Sequence, residues 1–339
     1  MTEPDVSPPA GASPLLRIVA AVSVALVFAF GVYLLLDATR PQQGLVSFSF
    51  LLVLPAAISA FACYVGDPLA TRPRIFYLLM PIWLLLAVIV ASVFVLREGV
   101  ICIIILSPLW LISSWTGAAI TWCARRRIRD HGTTYCSAAL LLPMLVIQAE
   151  PYIPLPQADV AVTRSIVVNA SPDTIWPLLR GIPDVHPGEG RWNLTQDVIG
   201  VPRPLGARLV GEGIGAERLA DWGRNIRFRE RITEWQPGSR IGWHFIFDQI
   251  DGWRFTDRHL MPDSPYFRVT TGGYRLESLA AGHTRVVLTT RYWIKTPVNA
   301  YSRLWGELFL GDLENNLLAL IKGRAEAYPN RARVANREA

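Results

Sequence analysis

Pro154-Leu155-Pro156-Gln157-Ala158-Asp159 marks the point at which the chain changes character. Upstream lie four apolar runs, Ile18–Leu36, Leu45–Val65, Ile75–Leu96 and Val100–Cys123, and none contains Asp, Glu, Lys, Arg or His. A helix rises about 1.5 Å per residue, so ~20 apolar residues cross a ~30 Å hydrocarbon core. The runs lack the polar stripe that a soluble amphipathic helix would show. Downstream, apolar and charged residues alternate at short range. The sequence therefore predicts an integral membrane region followed by a water-soluble domain.

Composition agrees with that division. Hydrophobic residues make up 51% of the chain and the mean hydropathy is +0.30, which fits one membrane unit plus one globular unit. The net charge of +6 is spread over both halves, with no basic patch of the kind nucleic acid requires. Lys295 and Lys322 are the only lysines among 33 basic residues, a hint of a GC-rich bacterial genome. Cys63, Cys102, Cys123 and Cys136 all lie in or beside apolar segments. The soluble half thus has no disulfide framework and no thiolate metal site. Residues 1–14 read as a disordered tail and not as a cleaved signal, because no basic side chain precedes Arg17.

Arginines on short loops set the orientation. Placing Arg125, Arg126, Arg127 and Arg129 in the cytoplasm also puts Arg17, Arg72 and Arg74 there and leaves only Arg40 and Arg97 outside. The N-terminus is then cytoplasmic. A fifth apolar stretch, Tyr135–Tyr152, is short but has an aromatic residue at each end. If it crosses, the soluble domain lies outside the cytoplasmic membrane; if it rests in the interface, the domain is cytoplasmic. The sequence reading takes it as crossing, giving four or five helices within 15–153. Pro55, Pro81, Pro108 and Pro143 fall inside spans two to five and are tolerated where neighbours re-satisfy the freed backbone. The spans carry no charged residue that would mark an ion pathway.

In the soluble half, Val162–Ala170 reads as a strand, and Ser171-Pro172-Asp173 starts a helix that buries Trp176 and Leu179. Six strand-like segments follow: Ala207–Glu212, Ala216–Trp222, Ile226–Trp235, Arg240–Phe247, Tyr266–Leu279 and Thr284–Ile294. A long helix closes the series from about Val298 to Ala327, with Tyr301, Leu304, Leu308, Leu317 and Ile321 apolar. A curved antiparallel sheet wrapped around that helix accommodates this order. Residues 329–339 read as a disordered tail.

Three sets of residues carry a family resemblance. They are Ile166–Pro172 with Trp176; Glu230–Pro237; and Gly273–Leu276, Gly282–Arg285 and Tyr292. Together they resemble the START-like, polyketide cyclase/lipid-transport (SRPBCC) superfamily with its helix-grip fold, over about Val162–Ala327 of a soluble domain taken as 157–328. The chain further resembles the bacterial subgroup with several membrane spans ahead of this domain. The resemblance implies a membrane α-helical region plus an α+β helix-grip domain with a cavity for a hydrophobic ligand. None of the superfamily's catalytic residue sets can be placed here.

Strand alternation tests the cavity independently. Ile226, Phe228, Glu230, Ile232 and Glu234 share one strand face; Trp243, Phe245 and Phe247 share another. Val286, Leu288, Thr290, Tyr292 and Ile294 form a third inward set. A change of parity from Phe267/Val269 to Tyr274/Leu276 implies a bulge near Gly272-Gly273. The candidate cavity residues are Phe228, Glu230, Ile232, Trp243, Phe245, Tyr274, Leu288, Thr290 and Tyr292, with Leu308 from the helix. Glu230, Thr290 and Tyr292 are the polar anchors among them. Taken one by one, these side chains fit a filled core better than a cavity wall, and Glu230 also fits an ion pair with an arginine or a solvated rim position.

Other signals carry no chemistry. Gly211-Glu212-Gly213-Ile214-Gly215 precedes a strand and reads as a tight hairpin, not a dinucleotide fingerprint. His131, His186, His244, His259 and His283 lack metal-ligand spacing. Glu230 and Glu234 would lie ~13 Å apart along a strand, too far for a glycosidase pair. Asn193-Leu194-Thr195 is a sequon by pattern only. The expected function is binding of a lipid or other hydrophobic small molecule at the bilayer, with no cofactor and no metal. The alternatives are a cyclase- or dehydratase-type enzyme using Glu230 or Tyr292 as acid/base, and a regulatory protein-interaction module. The expected location is the bacterial inner membrane, multi-pass, with the START-like domain on the outer face.

Overall fold

A computed structural model of the chain describes residues 13–39, 46–96, 100–127, 134–249 and 261–338. Most of the expected N-terminal tail, together with Arg40, Arg97, Arg129, His131 and His259, lies outside the described residues. The chain forms two compact units that meet in sequence at Pro154 and Leu155.

The first unit contains helices α1 (Pro14–Thr39), α2 (Leu54–Gly66, entered through a π-helical turn at Ser49–Val53), α3 (Arg74–Ala91), α4 (Val100–Arg127) and α5 (Thr134–Ala149). Four of its helical segments are long and apolar enough to cross a membrane, and the helix from Ala138 to Tyr152 is shorter. The backbone near Pro55 is served by a neighbour: Ser113 of α4 donates to the Leu52 carbonyl and Ser114 to the Pro55 carbonyl at 3.2 Å. The same stripe of α4 carries Gly117, where an added Cβ would collide with the Ala56 backbone. Small residues at such a contact let two helices approach backbone to backbone.

Hydrogen bonds also fix how α5 runs. Glu150, just after α5, accepts from Ser47 Oγ at 2.8 Å and from the Ser49 N–H at 2.6 Å, at the start of the second helical segment. Ser49 Oγ donates to the Pro143 carbonyl inside α5 at 2.7 Å. At the other end of α2, Arg125 of α4 donates to the Asp67 carbonyl at 2.8 Å and stacks over Tyr64, 4.4 Å from its ring centre. The chain leaves Arg125 beside the end of α2, and α5 finishes beside its beginning. So α5 runs antiparallel to α2 along its length.

The second unit is a seven-stranded antiparallel sheet in the order β1-β7-β6-β5-β4-β3-β2. Its strands are β1 (Gln157–Val168), β2 (Gly206–Val210), β3 (Glu217–Asp221), β4 (Arg227–Gln236), β5 (Arg240–Gln249), β6 (Phe267–Ser278) and β7 (Thr284–Lys295). Between β1 and β2 lie α6 (Pro172–Arg180) and the single turn α7 (Leu194–Asp197). After β7 comes α8, drawn from Asn299 to Glu338, past the end at Ala327 expected from sequence. This is the helix-grip architecture: β1 and β7 pair in register from Gln157↔Lys295 to Val168↔Thr284, and α8 packs along both.

Irregularities in the ladder let the sheet curve. The register shifts once in β6, between Val269 and Thr271, and twice in β4, at Arg227/Arg229 and Ile232/Glu234. The β6 bulge produces the expected change of parity, but at Thr270 and not at Gly272-Gly273. The second β4 bulge turns Trp235 inward, where it meets Trp176 edge-on at 5.3 Å between ring centres. The same bulge corrects the placement of Glu234, which points outward to Arg240 at 3.3 Å and does not share the face of Glu230.

The core joins sheet and helices. Ile175, Trp176 and Leu179 of α6 and Leu318, Ile321 and Ala325 of α8 pack with Ile232, Ile241, Trp243, Tyr274, Leu276, Val286 and Leu288. Ser171 sits at the N-cap of α6 as the sequence predicts, though its hydroxyl pairs with the Thr174 hydroxyl at 3.1 Å. The Pro/Gly-rich segment before β2 is tied to α8 by polar contacts. Asn316 accepts from the Arg191 N–H at 2.8 Å and from Arg203 at 3.0 Å; Asp312 accepts from Thr195.

Candidate functional site

The inner face of the sheet, opposite α8, gathers most of the residues expected there. Ile232, Trp243, Tyr274 and Leu288 belong to the main core. Tyr292 packs in a neighbouring cluster with Val162, Ile294, Val269 and Leu310, and Thr290 is buried between the two on β7. Phe228 and Phe245 are half-buried. With Trp222 and Phe247 they form an aromatic row, at ring-centre spacings of 5.9 Å for Trp222–Phe228, 5.9 Å for Phe228–Phe245 and 5.7 Å for Phe245–Phe247. The row continues inward through Phe245–Trp243 and Trp243–Tyr274 contacts. Leu308 stands apart: it is 36% exposed and Leu304 68%. The sheet-facing stripe of α8 runs instead through Leu310, Gly311, Glu314, Leu318, Ile321 and Ala325.

Glu230 is 6% exposed and forms an ion pair with Arg218 of β3, itself 5% exposed. Arg218 also donates to the Leu179 carbonyl at the end of α6 and lies 4.2 Å from the centre of the Trp243 ring. Burial disfavours the guanidinium charge, but the Glu230 carboxylate beside it more than offsets this, and the pKa of Arg218 is raised. Sequence alternation placed Glu230 inward; it left Arg218 unassigned, although Ala216 and Ala220 flank that position on the same apolar face of β3.

A second buried carboxyl went unnoticed in the sequence. Glu314 of α8 is 2% exposed, and neither of its oxygens meets a hydrogen-bond partner among the described residues. Burial pushes its carboxyl up to about 8; the approach of Thr290, short of full hydrogen-bond geometry, and the charge of Arg164 act the other way. Arg164 is occupied, since it pairs with Glu307 at 2.7 Å. The signal available in sequence was a lone acid interrupting the apolar spacing of Leu310, Leu317, Leu318 and Ile321.

Tyr274 lies close enough to both acids to feel them, and burial raises its pKa. The Tyr292 hydroxyl and the Trp243 indole N–H are buried and unpaired among the described residues. Tyr292 touches α8 where the helix has Gly306, a position at which any Cβ would strike the phenol oxygen. Among the described residues no group of three or more His, Cys, Asp or Glu is placed to hold a metal.

No family model matches the sequence, and no curated protein matches it. Solved structures do match, over half of the chain. An aromatase/cyclase from a Streptomyces species is 19% identical, with 50% of this chain and 95% of the other covered and a TM-score of 0.31. A START superfamily protein from Mycobacterium smegmatis is 14% identical, covering 50% and 98%, with a TM-score of 0.33. A truncated norcoclaurine synthase from Thalictrum flavum is 12% identical, covering 50% and 97%, with a TM-score of 0.30.

Proposed function

We propose that this chain, whose soluble half has the START-like helix-grip fold, is a membrane-anchored binding protein that takes a lipid or other apolar small molecule between its sheet and α8. The observation that carries the reading is the aromatic row from Trp222 through Phe228, Phe245 and Phe247 to the buried Trp243 and Tyr274. Half-exposed aromatic rings that lead into a face holding a few unpaired polar groups have the make-up of an apolar-ligand site. An apolar ligand is concentrated in the bilayer, so anchoring the domain there raises its supply. The antiparallel run of α5 beside α2 supports a fifth crossing, in line with the sequence-based expectation of a domain outside the cytoplasmic membrane.

The cyclase or dehydratase alternative finds less support. Glu230 is held by Arg218, and the Tyr292 hydroxyl is pressed against Gly306, so neither is free to move a proton on a substrate.

Native mass spectrometry of the detergent-purified full chain tests the reading. A bound small molecule that is lost on Phe228→Ala/Phe245→Ala substitution is expected. A chain that flies empty, and that takes up no added fatty-acid or ketone probe, overturns it. Reporter fusions placed after residue 160 test the side of the membrane; activity of a cytoplasm-only reporter there overturns the outward placement.

A further inference from the structure

Two acids face the interior of the grip, and only one has a counter-charge. Glu230 is matched by Arg218. Glu314, on the sheet-facing stripe of α8, is more deeply buried and has no partner for either oxygen. Thr290 of β7 and Tyr274 of β6 stand near it, and Tyr274 brings a phenolic O–H donor to the same space. A helix that needed only to pack would carry Leu or Ala there, as it does at Leu318, Ile321 and Ala325.

We infer that Glu314 is the polar anchor of the ligand site, donating a hydrogen bond to a carbonyl or hydroxyl oxygen of an otherwise apolar molecule, with Tyr274 as a second donor. The inference rests on the binding reading above and names the chemistry of its ligand. Taking an ionised carboxylate out of water with no cation beside it is so unfavourable that the group keeps its proton. Burial pushes the Glu314 carboxyl up to about 8, in keeping with a neutral acid near pH 7. A neutral acid offers one O–H donor, and a buried donor needs an acceptor. Arg164, the cation whose charge reaches Glu314, is already engaged by Glu307, which disfavours a carboxylate or phosphate headgroup there. The preferred ligand is therefore a neutral oxygen-bearing apolar molecule: a ketone, ester, lactone or alcohol.

The test uses the full chain in detergent and an environment-sensitive naphthyl ketone probe, whose emission and carbonyl infrared band both report hydrogen bonding. Wild-type protein is expected to bind the ketone with its carbonyl hydrogen-bonded. Its infrared spectrum should contain a protonated-carboxyl band that disappears in Glu314→Gln. Glu314→Gln, which keeps a donor, should bind within about threefold of wild type. Glu314→Leu, which keeps none, should bind about tenfold more weakly, the equivalent of ~1.4 kcal/mol for one hydrogen bond. If the ketone binds wild type and Glu314→Leu equally, with the same carbonyl band, the anchor assignment is overturned while the binding reading stands. If wild-type protein binds neither the ketone nor the matching hydrocarbon, the binding reading itself falls. Should Glu314→Leu fail to fold, Glu314→Gln decides: persistence of the carboxyl band there would assign it to another acid and overturn the proposal.

Discussion

Glu230 and Glu314 reach the same interior from opposite sides, one from the sheet and one from the helix, and they are buried in different ways. Glu230 carries its solution with it: Arg218 on the adjacent strand supplies a charge, and the Leu179 carbonyl and the Trp243 ring fix the guanidinium in turn. Glu314 has no such arrangement, and neither of its oxygens is hydrogen-bonded. A paired buried charge adds little net stability but becomes very costly when half of it is removed. An unpaired buried acid costs stability in place and is retained only where something outside the fold makes use of it. The first is a structural device; the second points to a ligand.

The sharpest way to break that contrast is to remove Arg218. Arg218→Ala leaves the Glu230 carboxylate buried without its cation and should destabilise the soluble domain by about 3–5 kcal/mol. The double change Arg218→Met/Glu230→Leu should restore most of the loss, because both charges then leave together. Chemical denaturation of the full chain, followed by hydrogen exchange in β3 and β4, reads both. A mild Arg218→Ala phenotype would mean that Glu230 reaches water or another partner.

An apolar control from the same core sets the scale. Trp176 is packed among Ile175, Leu179 and the inner strands and meets Trp235 edge-on. Trp176→Ala should cost about 3–5 kcal/mol, the usual penalty for truncating a large buried aromatic. Wild-type-like unfolding would show that α6 contributes little to the core. If Trp176→Ala costs as much as Arg218→Ala, the ion pair is as structural as the aromatic contact.

Glu314 should behave in the opposite sense. Its folded-state pKa is raised from 4.5 to about 8, so between those values the folded chain holds a proton that the unfolded chain has released. Stability is then level below about pH 4.5, falls as pH rises toward 8, and levels again above it. Arg164 from β1 works against the shift and Glu307 on α8 works with it. Tyr274 from β6 faces the same space and, with its own pKa raised, stays neutral throughout. Glu314→Leu should remove this fall and stabilise the ligand-free domain by about 1–3 kcal/mol near neutrality. Denaturation midpoints at pH 5, 6, 7 and 8 for both proteins test it; parallel curves would show that Glu314 is already satisfied.

The order of the elements was legible because it is written in periodicity. Apolar runs with no polar stripe set apart the long apolar helices, and β-branched runs and alternation between Gly and Pro turns marked the strands, although β1 begins at Gln157, five residues before the expected Val162. What escaped depends on contacts that alternation does not encode. A single extra residue at the second β4 bulge sends Glu234 out and Trp235 in, and no pattern in Ile232–Gln236 announces it. On α8, Leu304 and Leu308 look like core positions. The face that packs is set by Gly306 against Tyr292 and Gly311 against Arg164, where the absence of a side chain matters more than any apolar one. Arg218 and Glu314 are hard to read for a related reason: a charged residue on an amphipathic element ordinarily faces water, and only the flanking apolar positions reveal that these two point inward.

The smallest effect comes from the acid four residues beyond Glu230 on the same strand. Glu234 also pairs with an arginine, Arg240, at 3.3 Å, but both side chains are close to half exposed. Water already solvates them, the attraction is weakened by the high dielectric and by salt, and ordering two long side chains offsets much of what remains. Glu234→Gln should therefore change stability by less than about 0.5 kcal/mol, and raising the salt concentration should erase even that. Glu230→Gln, in the same strand and with the same chemistry, strands the buried Arg218 and should cost several-fold more. Measured side by side, the two substitutions hold residue type, partner type and strand constant and vary only burial. Equal effects would mean that solvent reaches Glu230, and the distinction between a paired structural acid and an unpaired ligand-facing one would lose its first term.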